Sequence, residues 1–157
     1  MKMIFAILIA TLISPTCSSG SGPLVLVYYR EGKELQVPRD SFDPATVEST
    51  VRALFAGTTD MLRLYVDAER IASLKQTDTV LEVIFDKTTT LQSKEFGEVS
   101  VKRVLIPMSG DFVGNAADPV ITLFPANDGY LTGPYRNPTG YPELMKLKAL
   151  VEQSLAR

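Results

Sequence analysis

Residues 80–108 read VLEVIFDKTTTLQSKEFGEVSVKRVLIPM. Val80–Phe85 is rich in β-branched and aromatic residues, the composition of a strand. It ends at Asp86, and Thr88-Thr89-Thr90 reads as a loop. Gly97–Met108 is the longest strand expected in the chain. Its apolar phase changes midway, with Val99 and Val101 on one parity and Val104 and Ile106 on the other. A one-residue slip turns every side chain to the opposite face, so a bulge near Lys102-Arg103 reconciles the two halves. Hairpin-like turns join these strands and those that follow, which makes the sheet mainly antiparallel. Glu82 and Arg103 lie within this stretch. Paired across neighbouring strands they form an ion pair worth about 0.2–1 kcal/mol.

Upstream, Leu24–Tyr29 (LVLVYY) and Leu35–Val37 flank a turn around Glu31-Gly32-Lys33 and read as a hairpin. Pro44–Ala56 is the clearest helix. Asp43 caps it, Pro44 suits its first position, and Val47, Val51, Leu54 and Phe55 share one face. Gly57 reads as its left-handed stop. Leu62–Val66 alternates as a half-buried strand, and Asp67–Leu74 reads as a short helix with Ile71 and Leu74 inward. A βαβ relation between Leu24–Tyr29 and Leu62–Val66 would make the sheet mixed.

Downstream, Ser109–Asp118 is turn-rich and Val120–Phe124 is another apolar strand. Pro125–Gly129 is a turn, and Tyr130–Thr132 an edge strand. Gly133–Tyr141 reads as an irregular loop. Pro142 starts a last helix to Leu155, with Leu144, Leu147, Leu150 and Val151 as its buried stripe. The expected fold is α+β: one mainly antiparallel sheet of five to seven strands, with two main helices packed on it.

The chain has 157 residues, one cysteine (Cys17) and no histidine. That removes Ser–His–Asp and Cys–His nucleophilic sites and histidine-ligated zinc. Disulfides and cysteine-ligated metals within one chain are removed as well. No GxGxxG, P-loop or GxSxG motif occurs, so no cofactor is expected. Setting aside Met1–Gly20 costs only Lys2 among charged residues, so 16 basic residues fall to 15 against 18 acidic. A mildly acidic body without a basic face argues against nucleic-acid binding.

Met1-Lys2-Met3 is a short positive start, and Ile4–Ile13 (IFAILIATLI) is an apolar run of signal-peptide length. Ser14-Pro15 breaks it. The segment Ile13-Ser14-Pro15-Thr16-Cys17 resembles the lipobox of bacterial lipoproteins, in which the cysteine is lipidated and becomes the first mature residue. Ser14 and Thr16 hold places where that family has an aliphatic residue and Gly or Ala. Ser18–Gly22 (SSGSG) has the composition of a flexible tether. The expected organisation is a signal peptide over 1–16, a tether over 17–23 and one domain over 24–157. The resemblance implies a membrane partner through lipidated Cys17. The alternative is release into the periplasm or medium.

Tyr135, Arg136, Asn137 and Tyr141, within the Gly133–Tyr141 loop, are the candidate ligand- or partner-binding residues, since Tyr and Arg dominate interface hot spots. A rigid connector whose tyrosines pack onto the last helix is the competing reading. Ser109-Gly110-Asp111, Asn115 and Asp118 lack the alternating acidic pattern of a calcium loop and read as turn formers, so no metal is expected. No residue is singled out as catalytic. The functional expectation is an exported, lipid-anchored, non-enzymatic binding or assembly module with a protein or small-molecule partner. A hydrolase using carboxylates or Tyr is the alternative, and no spacing picks two carboxylates from the 18 acidic residues. Assembly through a free sheet edge is a third reading.

Overall fold

Period-2 alternation in the apolar strands gives each of them two useful faces, and the fold covers both. In a computed structural model, residues 24–130 and 133–157 are described. Seven strands form one antiparallel sheet, with three helices, an α+β architecture. The elements are β1 (Leu24–Arg30), β2 (Lys33–Gln36), α1 (Pro44–Ala56), β3 (Asp60–Met61), α2 (Ala68–Thr77), β4 (Val80–Ser93), β5 (Gly97–Pro107), β6 (Ile121–Ala126), β7 (Tyr135–Asn137) and α3 (Tyr141–Leu155). The strand order is β2-β1-β4-β5-β6-β7-β3. β1 and β3 therefore lie far apart, and the βαβ alternative is not realised.

One face carries Leu26 and Tyr28 of β1, Leu81 and Val83 of β4, and Ile121 and Leu123 of β6 against α1 and α3. The opposite residues, Val27, Tyr29, Val80, Leu105 and Phe124, meet Ile71 and Leu74 of α2. The short helix thus covers the second face, whereas both long helices share the first. Tyr28 ties its strand to α3 by donating its hydroxyl to Glu152 Oε1 at 2.9 Å.

Val99, Val101, Val104 and Ile106 all join the α1/α3 core despite their change of parity. The register breaks where the sequence requires it: Ile84 faces Arg103, and the next pair is Thr89 with Val101. The extra residues sit on β4, so Thr88-Thr89-Thr90 belongs to a strand and not to a loop. Beyond this bulge the hairpin folds over α1, where Arg52 Nη1 donates to the Thr90 carbonyl and Thr58 Oγ1 to Ser93 Oγ.

α1 starts as expected, with Asp43 accepting from the main-chain N–H groups of Ala45 and Thr46. Its end differs. Gly57 has φ −80°, an ordinary right-handed value. Glycine is needed there because a Cβ would run into the Asn137 amide. Leu62–Val66 is not a strand; only Asp60–Met61 pairs, with Arg136 and Tyr135. The ladder fails because the next partners are Pro134, which has no N–H, and Gly133, held at φ +83°. The 133–141 region is likewise not wholly irregular, since it contains β7. Tyr130 makes an isolated bridge to Ala126. Leu131 and Thr132 of the expected edge strand, and the whole leader with Cys17, lie outside the described residues.

Candidate functional site

Two polar assemblies lie on the α2 side of the sheet. The first is centred on Glu82, which alternation places between Leu81 and Val83 and turns toward α2. Its side chain is 3% exposed. Oε2 accepts from Lys75 Nζ at 2.7 Å and from the Tyr29 hydroxyl at 3.2 Å. Oε1 accepts from the Tyr130 hydroxyl at 2.7 Å and from Arg103 Nη1 at 3.4 Å. The Lys75 ammonium also lies 4.4 Å from the centre of the Tyr29 ring.

Burial alone would raise the Glu82 pKa, but the hydrogen bonds from Lys75 and Tyr130 and the charges of Lys75 and Arg103 outweigh it and hold the carboxyl below its ordinary value. Lys75 is the mirror case: burial pulls it down, and its contacts with Glu82 and Tyr29 carry it above the ordinary lysine value. Burial and the Glu82 charge push the Tyr130 hydroxyl up. At neutral pH the cluster holds one carboxylate, two cations and two protonated phenols. Both carboxylate oxygens are occupied, which suits a structural tie better than a general base.

The second assembly is an open groove of about 690 Å³ between α2 and the turn after β5. Its volume is in the range of ligand sites. Asp67 caps α2 by accepting from the Arg70 N–H at 2.8 Å. The other wall comes close because of Gly110, at φ +82°, where a Cβ would sit 2.5 Å from an Asp78 carboxylate oxygen. The turn is pinned by the Thr79 N–H donating to Ser109 Oγ. Leu64, Leu74 and Phe112 supply the apolar lining. Phe112 stands edge-on to Phe124 of the core at 5.1 Å, and the Arg70 guanidinium lies 5.7 Å from its ring centre. Asp67, Glu69, Asp78 and Asp111 face the same space, with Arg70 as the cation among the lining residues. Burial, and then the charge of Asp111, raise the Asp78 carboxyl above its ordinary value. Tyr65, 73% exposed, forms one lip.

The residues singled out in the sequence are divided by the structure. Tyr135 is buried, its ring 5.2 Å from those of both Phe55 and Phe96. Asn137 is buried too: Nδ2 donates to the Leu54 carbonyl at 2.7 Å, and Oδ1 accepts from the Thr139 N–H at 3.0 Å. Tyr141 is half-buried at the first turn of α3. Arg136 turns outward, 3.8 Å from Asp60, and lines a second depression with Asp111 and Phe112. Of the polar turn, Asn115 Oδ1 accepts from the N–H groups of Ala117 and Asp118, which occupies it locally. Among the described residues no three His, Cys, Asp or Glu side chains converge as a metal site.

The Glu82–Arg103 contact was legible as a strand pair, while Tyr29, Lys75 and Tyr130 were missed. One signal was present: Lys75 continues the Ile71, Leu74 stripe of α2, so a cation on that face needed a buried partner. The chain matches no protein-family model, and comparison with curated proteins and with solved structures finds no match.

Proposed function

We propose that this chain is an exported binding module, anchored at an envelope membrane through lipidated Cys17, whose ligand face is the groove beside α2. The observation that carries the binding half is the groove itself: ligand-sized, open, with apolar lining and an acidic rim. The location half rests on the Met1–Gly22 pattern. Arg136 belongs to the adjoining depression and extends the contact surface toward β7.

Expression in a bacterial host with the native leader, beside Cys17→Ala, tests the anchor. The expected result is an acylated intact mass and membrane association that the variant loses. A soluble wild-type protein without acyl addition replaces the anchor with simple secretion.

One observation favours the hydrolase as a second reading. Asp78, with its raised carboxyl, and Asp111 share the groove, and acid/base chemistry uses carboxyls whose environments differ. That reading expects turnover of nitrophenyl glycosides or esters that Asp78→Asn and Asp111→Asn each lower by about 100-fold or more. Absence of turnover across both substrate classes removes it.

A further inference from the structure

The two ends of the sheet are finished differently. β2 is short and carries Lys33 and Glu34, devices that protect an edge from pairing. At the other end, β3 stops at Met61, and the chain runs on through Leu62–Tyr65 beside Pro134 and Gly133. The Leu62 N–H donates to the Pro134 carbonyl at 2.8 Å, and the Leu64 carbonyl accepts from the Gly133 N–H at 3.1 Å. Strand groups alternate in direction, so Arg63, between these two, turns its N–H and C=O away from the sheet. Among the described residues, neither Arg63 nor Tyr65 makes a main-chain hydrogen bond. The side chains on the outward positions are open as well, Met61 at 41% and Tyr65 at 73% exposure. A shallow apolar depression of about 440 Å³ lies between them, bounded by Leu62, Leu64 and Gly133. Tyr65 and Leu64 also line the acidic groove, so edge, depression and groove form one continuous surface.

We infer that this edge takes an extended peptide segment of a partner protein, paired along Met61–Tyr65, with apolar side chains in the depression and basic residues where it passes Tyr65 into the groove. The inference rests on the binding reading above and names the partner class. The Met61 N–H is held by Asp60 Oδ1 at 2.8 Å, so the open main-chain groups are those of Arg63 and Tyr65. Met61–Tyr65 spans about 16 Å, enough for a short strand-addition site. The charge argument selects the occupant. Asp67, Glu69, Asp78 and Asp111 outnumber Arg70 in the groove. A second copy paired antiparallel about Arg63 would bring its Asp60, an anion, toward the acidic groove, whereas a basic segment neutralises that groove. In antiparallel pairing, the N-terminal end of the incoming peptide lies over the groove.

The test uses the protein purified after expression with its own leader and three capped eight-residue probes. The first alternates valine and threonine behind two N-terminal lysines. The second has glutamates in place of the lysines. The third is the lysine peptide with alternate amides N-methylated. The lysine probe is expected to bind at least tenfold tighter than the other two and to shift the Arg63 and Tyr65 amide resonances. Arg63→Pro, which removes the outward N–H, is expected to abolish binding. Asp78→Asn with Asp111→Asn is expected to weaken the lysine probe and to bind the glutamate probe no more weakly than wild type, which narrows the gap between the two. Equal affinity for all three probes, or shifts confined to another surface, overturns the inference. So does a concentration-dependent dimer that protects the Arg63 amide and excludes the peptide, since a second copy then owns the edge. The probe comparison uses the wild-type chain, so a misfolded variant does not blunt it. A soluble, non-acylated protein that still binds the lysine probe refutes the anchor and leaves the edge site standing.

Discussion

Glu82→Ala lowers the unfolding free energy by about 3 kcal/mol, the low end of what removing one member of a buried ion pair costs. The low end applies because the cations left behind reach water: the Lys75 side chain is 22% exposed and that of Arg103 45%. The phenols of Tyr29 and Tyr130 lose their acceptor at the same time, and buried donors without partners add to the loss. The pH dependence separates this account from a simple cavity. The folded Glu82 carboxyl titrates below its ordinary value of 4.5, so its contribution is full above that value and fades as pH falls through the folded pKa. Lys75 titrates above 10.5 in the fold, so its contribution is full below that value and fades only as pH rises through the raised one. Urea midpoints for wild type and Glu82→Gln therefore differ most between these limits and converge below 4.5. A difference that persists unchanged into acid assigns the effect to packing.

Asn137 carries the second large effect. Its amide fills the space between the end of α1 and the start of α3. It donates to Leu54, accepts from Thr139, and lies against Gly57 and Gly140. Asn137→Ala leaves the Leu54 carbonyl and the Thr139 N–H without these partners, at about 2–3 kcal/mol. Gly57→Ala drives a methyl into the same amide, at about 1–3 kcal/mol for overpacking. The two changes compensate in space. The Gly57→Ala cost is expected to fall below about 0.5 kcal/mol in the Asn137→Ala background, a coupling that a urea double-mutant cycle reads directly. Additive costs refute the shared-space account.

The strands β1, β4, β5 and β6 were legible because their apolar periodicity is set by two covered faces. The bulge was legible because two parities within Gly97–Met108 had to reach one core. What escaped depended on partners distant in sequence. Thr88–Thr90 looks like a loop until the hairpin folds over α1. Leu62–Val66 has strand alternation but meets Gly133 and Pro134, which cannot sustain a ladder. Gly57 has the position of a left-handed cap, yet its reason lies 80 residues away in Asn137. The candidate site is the part least legible in the sequence. Tyr, Arg and Asn in one loop suggested a surface, and alternation along β7 sends Tyr135 and Asn137 inward and only Arg136 out. The groove joins a helix wall to a turn some 40 residues later, and local pattern carries no trace of that meeting.

The strand order also sets the distance between the start of the folded chain and the proposed peptide edge. β1, the first described segment after the Ser/Gly stretch, is second from one end of the sheet, and β3 closes the other. Five strand spacings separate them, about 24 Å measured across the sheet. The start of the described chain therefore sits toward one flank of the sheet, and Met61–Tyr65 lies on the opposite flank. Under the proposed anchoring, the reach of the 18–22 stretch sets how far from the bilayer Met61–Tyr65 extends. Lengthening the 18–22 stretch should widen that radius without touching any contact in the fold.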